Sequence, residues 1–269
     1  AAFSMAKPYF PKGNVVMSIL EETYTLGWRL VAAPNFGGND VDWPCFIFRK
    51  LTNPPVSPPQ LVMGAIKDQN MPGKVCFAGA GAAEAAARVL QALQQKAHQR
   101  SAKVEKDSYD DDWDAVIRGT EMTTGASLGS AFGLQYFPRN DSMMAMLGAM
   151  NEAGWNMAGC PNFGGFGASW PTFLWEKRDE PARSAFVAIK DQNVPGKVCV
   201  GGVGNDPGLS EALQRGLDAL ATTQVVAAKD SWDKGFDMAF RGTAMTTGST
   251  PFSMQNAWFP FGFPLELVV

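Results

Sequence analysis

Apolar side chains at Val15, Val16, Ile19, Leu20 and Tyr24 recur at helical spacing, and Asn14 stands where an N-cap belongs. The spacing predicts a helix over 14–26, stopped by Gly27 at C′. Met143, Met146, Leu147 and Met150 predict a second such helix over 142–153, stopped by Gly154. Beyond Gly27, Trp28 to Ala32 and Pro44 to Arg49 read as two strands joined by a Gly/Asn/Asp loop. Val62 to Lys67 and Lys74 to Phe77 read as strands on either side of an Asp68-Gln69-Asn70 turn, where Asp and Asn bond their own backbone. Helices are predicted over 82–95 and 208–221, and strands over 112–120 and 234–243. Strands and helices mix without regular βαβ alternation, so the expected class is α+β with antiparallel sheet dominant.

The two halves of that pattern are one pattern written twice. Gly27-Trp28, Pro34-Asn35-Phe36-Gly37-Gly38 and Trp43-Pro44 return 127 residues later as Gly154-Trp155, Pro161-Asn162-Phe163-Gly164-Gly165 and Trp170-Pro171. Pro72-Gly73-Lys74-Val75-Cys76, Arg118-Gly119-Thr120 and Met122-Thr123-Thr124-Gly125 return 123 residues later, as does Ile66-Lys67-Asp68-Gln69-Asn70. The shortening falls where Asn53 to Pro59 gives way to Arg178 to Pro181, which marks a surface loop. The expected organisation is module 1 over 1–125 and module 2 over 126–248, two tandem homologous modules that are pseudo-twofold in relation. A tail over 249–269 follows. It restarts the pattern: Phe3-Ser4-Met5 returns as Phe252-Ser253-Met254, and Tyr9-Phe10-Pro11 returns as Tyr136-Phe137-Pro138 and Trp258-Phe259-Pro260.

Charge narrows the function classes. The 23 basic and 26 acidic residues are interspersed, which leaves no basic stripe for nucleic acid. No apolar run reaches the roughly 18–20 residues that span a bilayer. Four cysteines in 269 residues are too few for a disulfide framework and suit a reducing compartment. The single histidine, His98, lies in a polar stretch read as a solvated helix end, so Ser-His-Asp, Cys-His and multi-histidine metal sites are not expected.

Several motifs have a plain reading beside a chemical one. Gly79-Ala80-Gly81 follows a strand and opens a helix like a dinucleotide fingerprint, but Glu84 holds the place of the third glycine, where an acid repels pyrophosphate. Cys76 and Cys199 occupy equivalent strand positions and read as buried. Cys45 matches Thr172 and Cys160 matches Ala33, so neither is a ligand or nucleophile candidate. The repeated Trp and Phe residues read as core rather than as a pigment or sugar platform. Phe36 and Phe163, set among turn residues in both copies, are the exception: they are placed to meet a neighbour or ligand. No catalytic residue, cofactor or metal is expected.

The tail offers the clearest candidate interface. Phe252, Met254, Trp258, Phe259, Phe261, Phe263 and Leu265 are costly to leave in water, so they are expected to dock on this chain or a neighbour. An opening segment without a body of its own can fill the equivalent groove of the next copy, a heterologous contact that propagates into sheets or tubes. The competing expectation is a small-molecule-binding protein or enzyme with its site between the modules.

The tandem α/β modules, the Gly-Trp and Pro-Asn-Phe-Gly-Gly…Trp-Pro signatures and the apolar tail resemble the pyrenoid shell proteins of diatoms. The Ala-Ala-Phe start is similar to the mature end left by a plastid transit peptide. The resemblance implies a non-enzymatic protein of the plastid stroma. It would assemble with itself into a shell around the Rubisco matrix and support CO2 concentration.

Overall fold

The structure is a computed structural model, and it describes residues 11–34, 45–67, 73–108, 110–123, 138–165, 168–178, 183–190, 196–202, 207–220, 225–229, 233 and 235–243. The class is α+β, and every described ladder is antiparallel. The chain divides into two compact units, residues 1–183 and 184–269. That division falls inside the second sequence repeat and not at 125/126, because the opening half of the second repeat builds onto the body of the first.

In the first unit the chain runs α1 (Gly13–Thr25), β1 (Trp28–Ala32), β2 (Ile47–Lys50), β3 (Leu61–Lys67), β4 (Gly73–Ala78), α2 (Ala82–Gln94), a 3-10 turn (Ala97–Gln99), β5 (Lys103–Val104), β6 (Ala115–Thr120), α3 (Asn140–Glu152), β7 (Trp155–Gly159), β8 (Asn162–Gly165) and β9 (Ala168–Lys177). A seven-stranded sheet has the order β5-β6-β4-β3-β9-β7, with β8 paired to β9, and β1-β2 forms a separate ladder. The pivotal pairing is β3 with β9: Val62 lies opposite Trp175, Met63 opposite Leu174 and Gly64 opposite Phe173.

Each sheet face has its own cover. Leu61, Met63, Ala65, Cys76, Ala78, Val116 and Leu174 pack against Met17, Leu20 and Tyr24 of α1 and Leu30 of β1, with Phe46 and Phe48 at the margin. Residues of the opposite parity face α2 and α3: Gly64 leaves room for Trp175 and Phe77, and Gly81 at the start of α2 leaves room for Trp155 and Val62. Of the repeated tryptophans expected in the core, Trp155 and Trp170 are completely or almost completely buried, but Trp28 is exposed; Trp113 and Trp175 are buried as well. Tyr24 ties α1 to the sheet by donating from Oη to Glu176 Oε1 at 2.8 Å. Burial, then the hydrogen bond and charge of Glu176, push the Tyr24 phenol well above its usual value.

The second unit holds β10 (Phe186–Lys190), β11 (Gly196–Gly201), α4 (Pro207–Leu220), β12 (Val226–Ala227) and β13 (Met238–Thr243). Its order, β10-β11-β13-β12, matches β3-β4-β6-β5. The registers match residue for residue: Cys76 opposes Val116 as Cys199 opposes Ala239, 123 positions on. Val198, Val200, Val225 and Phe240 pack with Leu217 of α4, supported by Leu209 and Leu213.

Local expectations fare unevenly. Gly27 and Gly154 do follow their helices at φ of 77° and 79°, conformations that glycine adopts without Cβ strain. The 53–59 stretch is a surface loop, mostly exposed. Asn14, however, is no cap. Lys12 holds the N-cap position without a side-chain bond, and the Asn14 amide donates to the Asp112 carbonyl at 2.9 Å. Val15 and Ile19, expected on the buried face of α1, are exposed. The Phe163 loop expected in the second repeat is instead strand β8.

A Cβ at Gly81 would stand 2.3 Å from the Trp155 ring. Gly81→Ala should therefore lower stability by about 1–3 kcal/mol through overpacking, as read from the urea midpoint; an unchanged midpoint would remove Trp155 from this contact.

Candidate functional site

The Asp-Gln-Asn turns and all the tail residues, Phe252, Met254, Trp258, Phe259, Phe261, Phe263 and Leu265, lie outside the described residues, as does Phe36. Phe163 is described. It sits half-buried on β8 with its ring 6.3 Å from that of Phe46. It thereby joins the edge of the large sheet to the β1-β2 ladder.

The glycines of the fingerprint-like stretch serve packing. Gly79 has a φ of 109°, and a Cβ there would meet the Leu61 carbonyl oxygen at 2.6 Å. Beside it, Trp155 fills the space over Gly81. A pyrophosphate at this helix start would have to displace a fully buried indole.

Each body carries one buried ion pair at its end. Lys74 Nζ donates to both Asp110 oxygens at 2.8 and 2.9 Å and to Asp107 at 2.9 Å, and Arg118 meets Asp107 at 3.0 Å. Lys197 and Asp233, each 123 positions later, meet at 3.2 Å. These groups pin the loop before β6 to strand β4, because a buried charge left without its partner costs several kcal/mol. Burial works against the Lys74 ammonium, but the hydrogen bonds it donates to Asp110 and Asp107 more than offset it and hold its pKa above the ordinary value. Next to this pair, burial and then the Asp110 charge push the Cys76 thiol up to about 12, so Cys76 stays protonated and inert at neutral pH.

His98 does not sit at a free helix end. Its Nε2 is 2.9 Å from Ser142 Oγ and its Nδ1 is 3.7 Å from Asp141. The fold thus brings a serine, a histidine and an aspartate together, an arrangement that the sequence reading set aside. The hydroxyl is committed elsewhere: it donates to the Glu121 carbonyl at 3.1 Å and accepts from Gln99 Nε2 at 2.9 Å. That donation leaves His98 Nε2 as the proton donor toward Ser142, the reverse of a general base. Ser142 is also completely buried, so the cluster ties the end of α2 to the start of α3 and presents no nucleophile.

Between α2 and α3 lies an open cavity of about 270 Å³ bounded by Arg88, Gln91, Gln95, Ala149 and Glu152. It falls just below the range of drug-sized ligand sites, and its walls are mostly polar. Among the described residues no group of three or more His, Cys, Asp or Glu side chains could hold a metal, and no helix is long and apolar enough to cross a membrane.

One feature escaped the sequence reading. Val15, Ile19, Leu26, Trp28, Val31 and Ile47 form an exposed apolar set on the α1-β1-β2 half. The signal was present in α1, whose apolar residues fall on two stripes, Met17/Leu20/Tyr24 and Val15/Ile19/Leu26. A helix apolar on two sides is built to bury both.

Compared with protein-family models, with curated proteins and with solved structures, the chain matches none.

Lys74→Ala should cost about 3–5 kcal/mol in denaturant titrations by stranding Asp110, and Asp110→Leu in the Lys74→Met background should recover most of it. Because the folded Lys74 pKa is raised, its contribution is complete below the ordinary lysine value of 10.5 and declines as pH rises through the folded value. Wild-type stability falling above that pH, more steeply than in the double variant, is the expected measurement.

Proposed function

We propose that the protein is a self-assembling structural protein that tiles into a sheet-like shell around the Rubisco-containing pyrenoid of a plastid, in support of CO2 concentration, and that it is not an enzyme. The observation that carries this reading is the third copy of the opening segment, Phe252-Ser253-Met254 and Trp258-Phe259-Pro260, which leads into the apolar stretch Phe261 to Val269. A segment of this kind gains most by docking on an equivalent groove of another copy. The exposed apolar side chains of the α1-β1-β2 half support the same reading, since burial against another copy would remove them from water. The Rubisco matrix as client and the plastid stroma as location come from the resemblance to diatom pyrenoid shell proteins.

A second reading, a small-molecule binder with its site between the repeats, has the cavity between α2 and α3 in its favour. It requires a discrete particle of fixed size.

Negative-stain electron microscopy of the purified chain, beside a variant truncated after Gly248, separates the two. Sheets or tubes from the full chain that are lost on truncation are the expected result. Uniform small particles from both samples would overturn the shell reading and favour the binder.

A further inference from the structure

The halves that open the two repeats are built alike. Lys50 Nζ donates to the Leu26 carbonyl and lies 5.7 Å from the Trp28 ring centre. Lys177 Nζ donates to the Ala153 carbonyl at 2.7 Å and lies 4.7 Å from the Trp155 ring centre. In both halves the same lysine, 127 positions apart, clamps the end of the helix over the first strand.

Their surroundings differ. The outer edge of β9 pairs with β3, and α3 lies on α2. The β2 strand, its counterpart, pairs with β1 and with no other described strand. Burial follows. Ile19, Trp28 and Ile47 are 55, 39 and 49% exposed, whereas their counterparts Met146, Trp155 and Leu174 are completely buried. The bodies show the complementary contrast: β3 is paired on both sides, but β10 pairs with β11 and with no other described strand. Ile189 on β10 is 40% exposed, while its counterpart Ile66 is buried. Among the described residues the chain thus contains one filled junction and the two unfilled halves of a second junction of the same kind.

We propose that strand β2 of one copy adds to strand β10 of another in the register that β9 adopts on β3, with α1 lying on α4 as α3 lies on α2. This rests on the self-assembly reading and adds to the docking of the C-terminal segment a second contact that assembly also requires. The internal ladder sets the register: Val62–Trp175, Met63–Leu174 and Gly64–Phe173 become Ala185–Phe48, Phe186–Ile47 and Val187–Phe46. A second copy is the occupant, because the partner surface is written into the same chain and its fit is already seen once within it. The contact is antiparallel β-augmentation, which closes two exposed strand edges at once. The two surfaces are different, so every added copy brings a new β2 edge and a new β10 edge, and growth does not stop at a dimer. Three internal contacts have no counterpart. Lys177 meets Glu84 at 3.5 Å, and their equivalents are Lys50 and Pro207; that loss is small, because the ion pair is partly exposed. The bonds of His98 and Gln99 to Ser142 give way to Ala221, Thr222 and Val15, so an apolar contact replaces a polar one there, and Gly64 beneath Trp175 gives way to Val187 beneath the smaller Phe48.

The test uses full-length chains in a Cys45→Thr, Cys160→Ala background, residues that the other repeat already carries at these positions. One chain then receives Ile47→Cys and another Phe186→Cys. Mixed and mildly oxidised, they should give a covalent dimer far in excess of either chain alone, and a chain with both substitutions should give a ladder of multimers. Sheets or tubes without the cross-link would overturn this contact and leave self-assembly standing; absence of both assembly and cross-link would overturn both. A cross-linked monomer of altered mobility from the doubly substituted chain would show the junction closing within one chain, which also overturns the proposal. Ile47→Lys provides the second arm. Ile47 is half exposed, so the circular dichroism and melting point should not change, while assembly is lost. Assembly equal to wild type would overturn the contact.

Discussion

The ladder between β3 and β9 joins residues about 110 positions apart, and the first unit is arranged around it. Closing a loop of that length costs about 4 kcal/mol in chain entropy before any contact repays it. The repayment comes from large side chains on both faces: Met63, Leu174 and Leu61 toward α1, and Trp175, Phe77 and Trp155 toward the other two helices. The two glycines at this seam, Gly64 and Gly81, are small because an indole stands where their side chains would be. The pairing also explains why the compact units do not coincide with the sequence repeats.

The opening half of each repeat has an edge and a face, and the edge is the more consequential. In the first unit α1 and β1-β2 use their face to cover the sheet, which leaves the β2 edge and one stripe of α1 exposed. In the second repeat the edge of the corresponding half is consumed by β3. One sequence pattern thus tolerates two environments, and its substitutions follow them. Ser142, sealed among His98, Gln99 and Glu121, replaces the exposed Val15. Polar residues are affordable in the buried copy where each finds a partner.

Much of the local structure was legible in the sequence. The apolar spacing located the four described helices within about two residues, and the Gly-Trp pairs marked the helix ends. The buried Cys76 and Cys199 followed from their strand context, as did Trp155 and Trp170, whereas Trp28 is exposed. Three things were not legible, for one reason: periodicity reports which side of an element is apolar and says nothing about which distant element covers it. Spacing alone therefore does not separate Val15 and Ile19 from the buried Leu20 and Tyr24, does not bring His98 to a serine 44 positions away, and does not reveal that the space over Gly81 belongs to Trp155. The residues that distinguish an internal junction from an open one, Ile19 against Met146 or Ile47 against Leu174, are apolar in both repeats. Only the fold separates them.

The distance between β3 and β9 also has a consequence in time. At roughly 5–20 residues per second, synthesis of the stretch from Lys67 to Lys177 takes roughly 5–20 seconds. Throughout that interval the β3 edge of a nascent chain is complete but unpaired. On a polysome, chains at this stage stand side by side, and each displays the strand that another's β9 would fit. Exchange of opening halves between neighbours during translation is thus the natural misassembly of this fold, and the cell's means of keeping nascent chains apart would decide how much of it occurs.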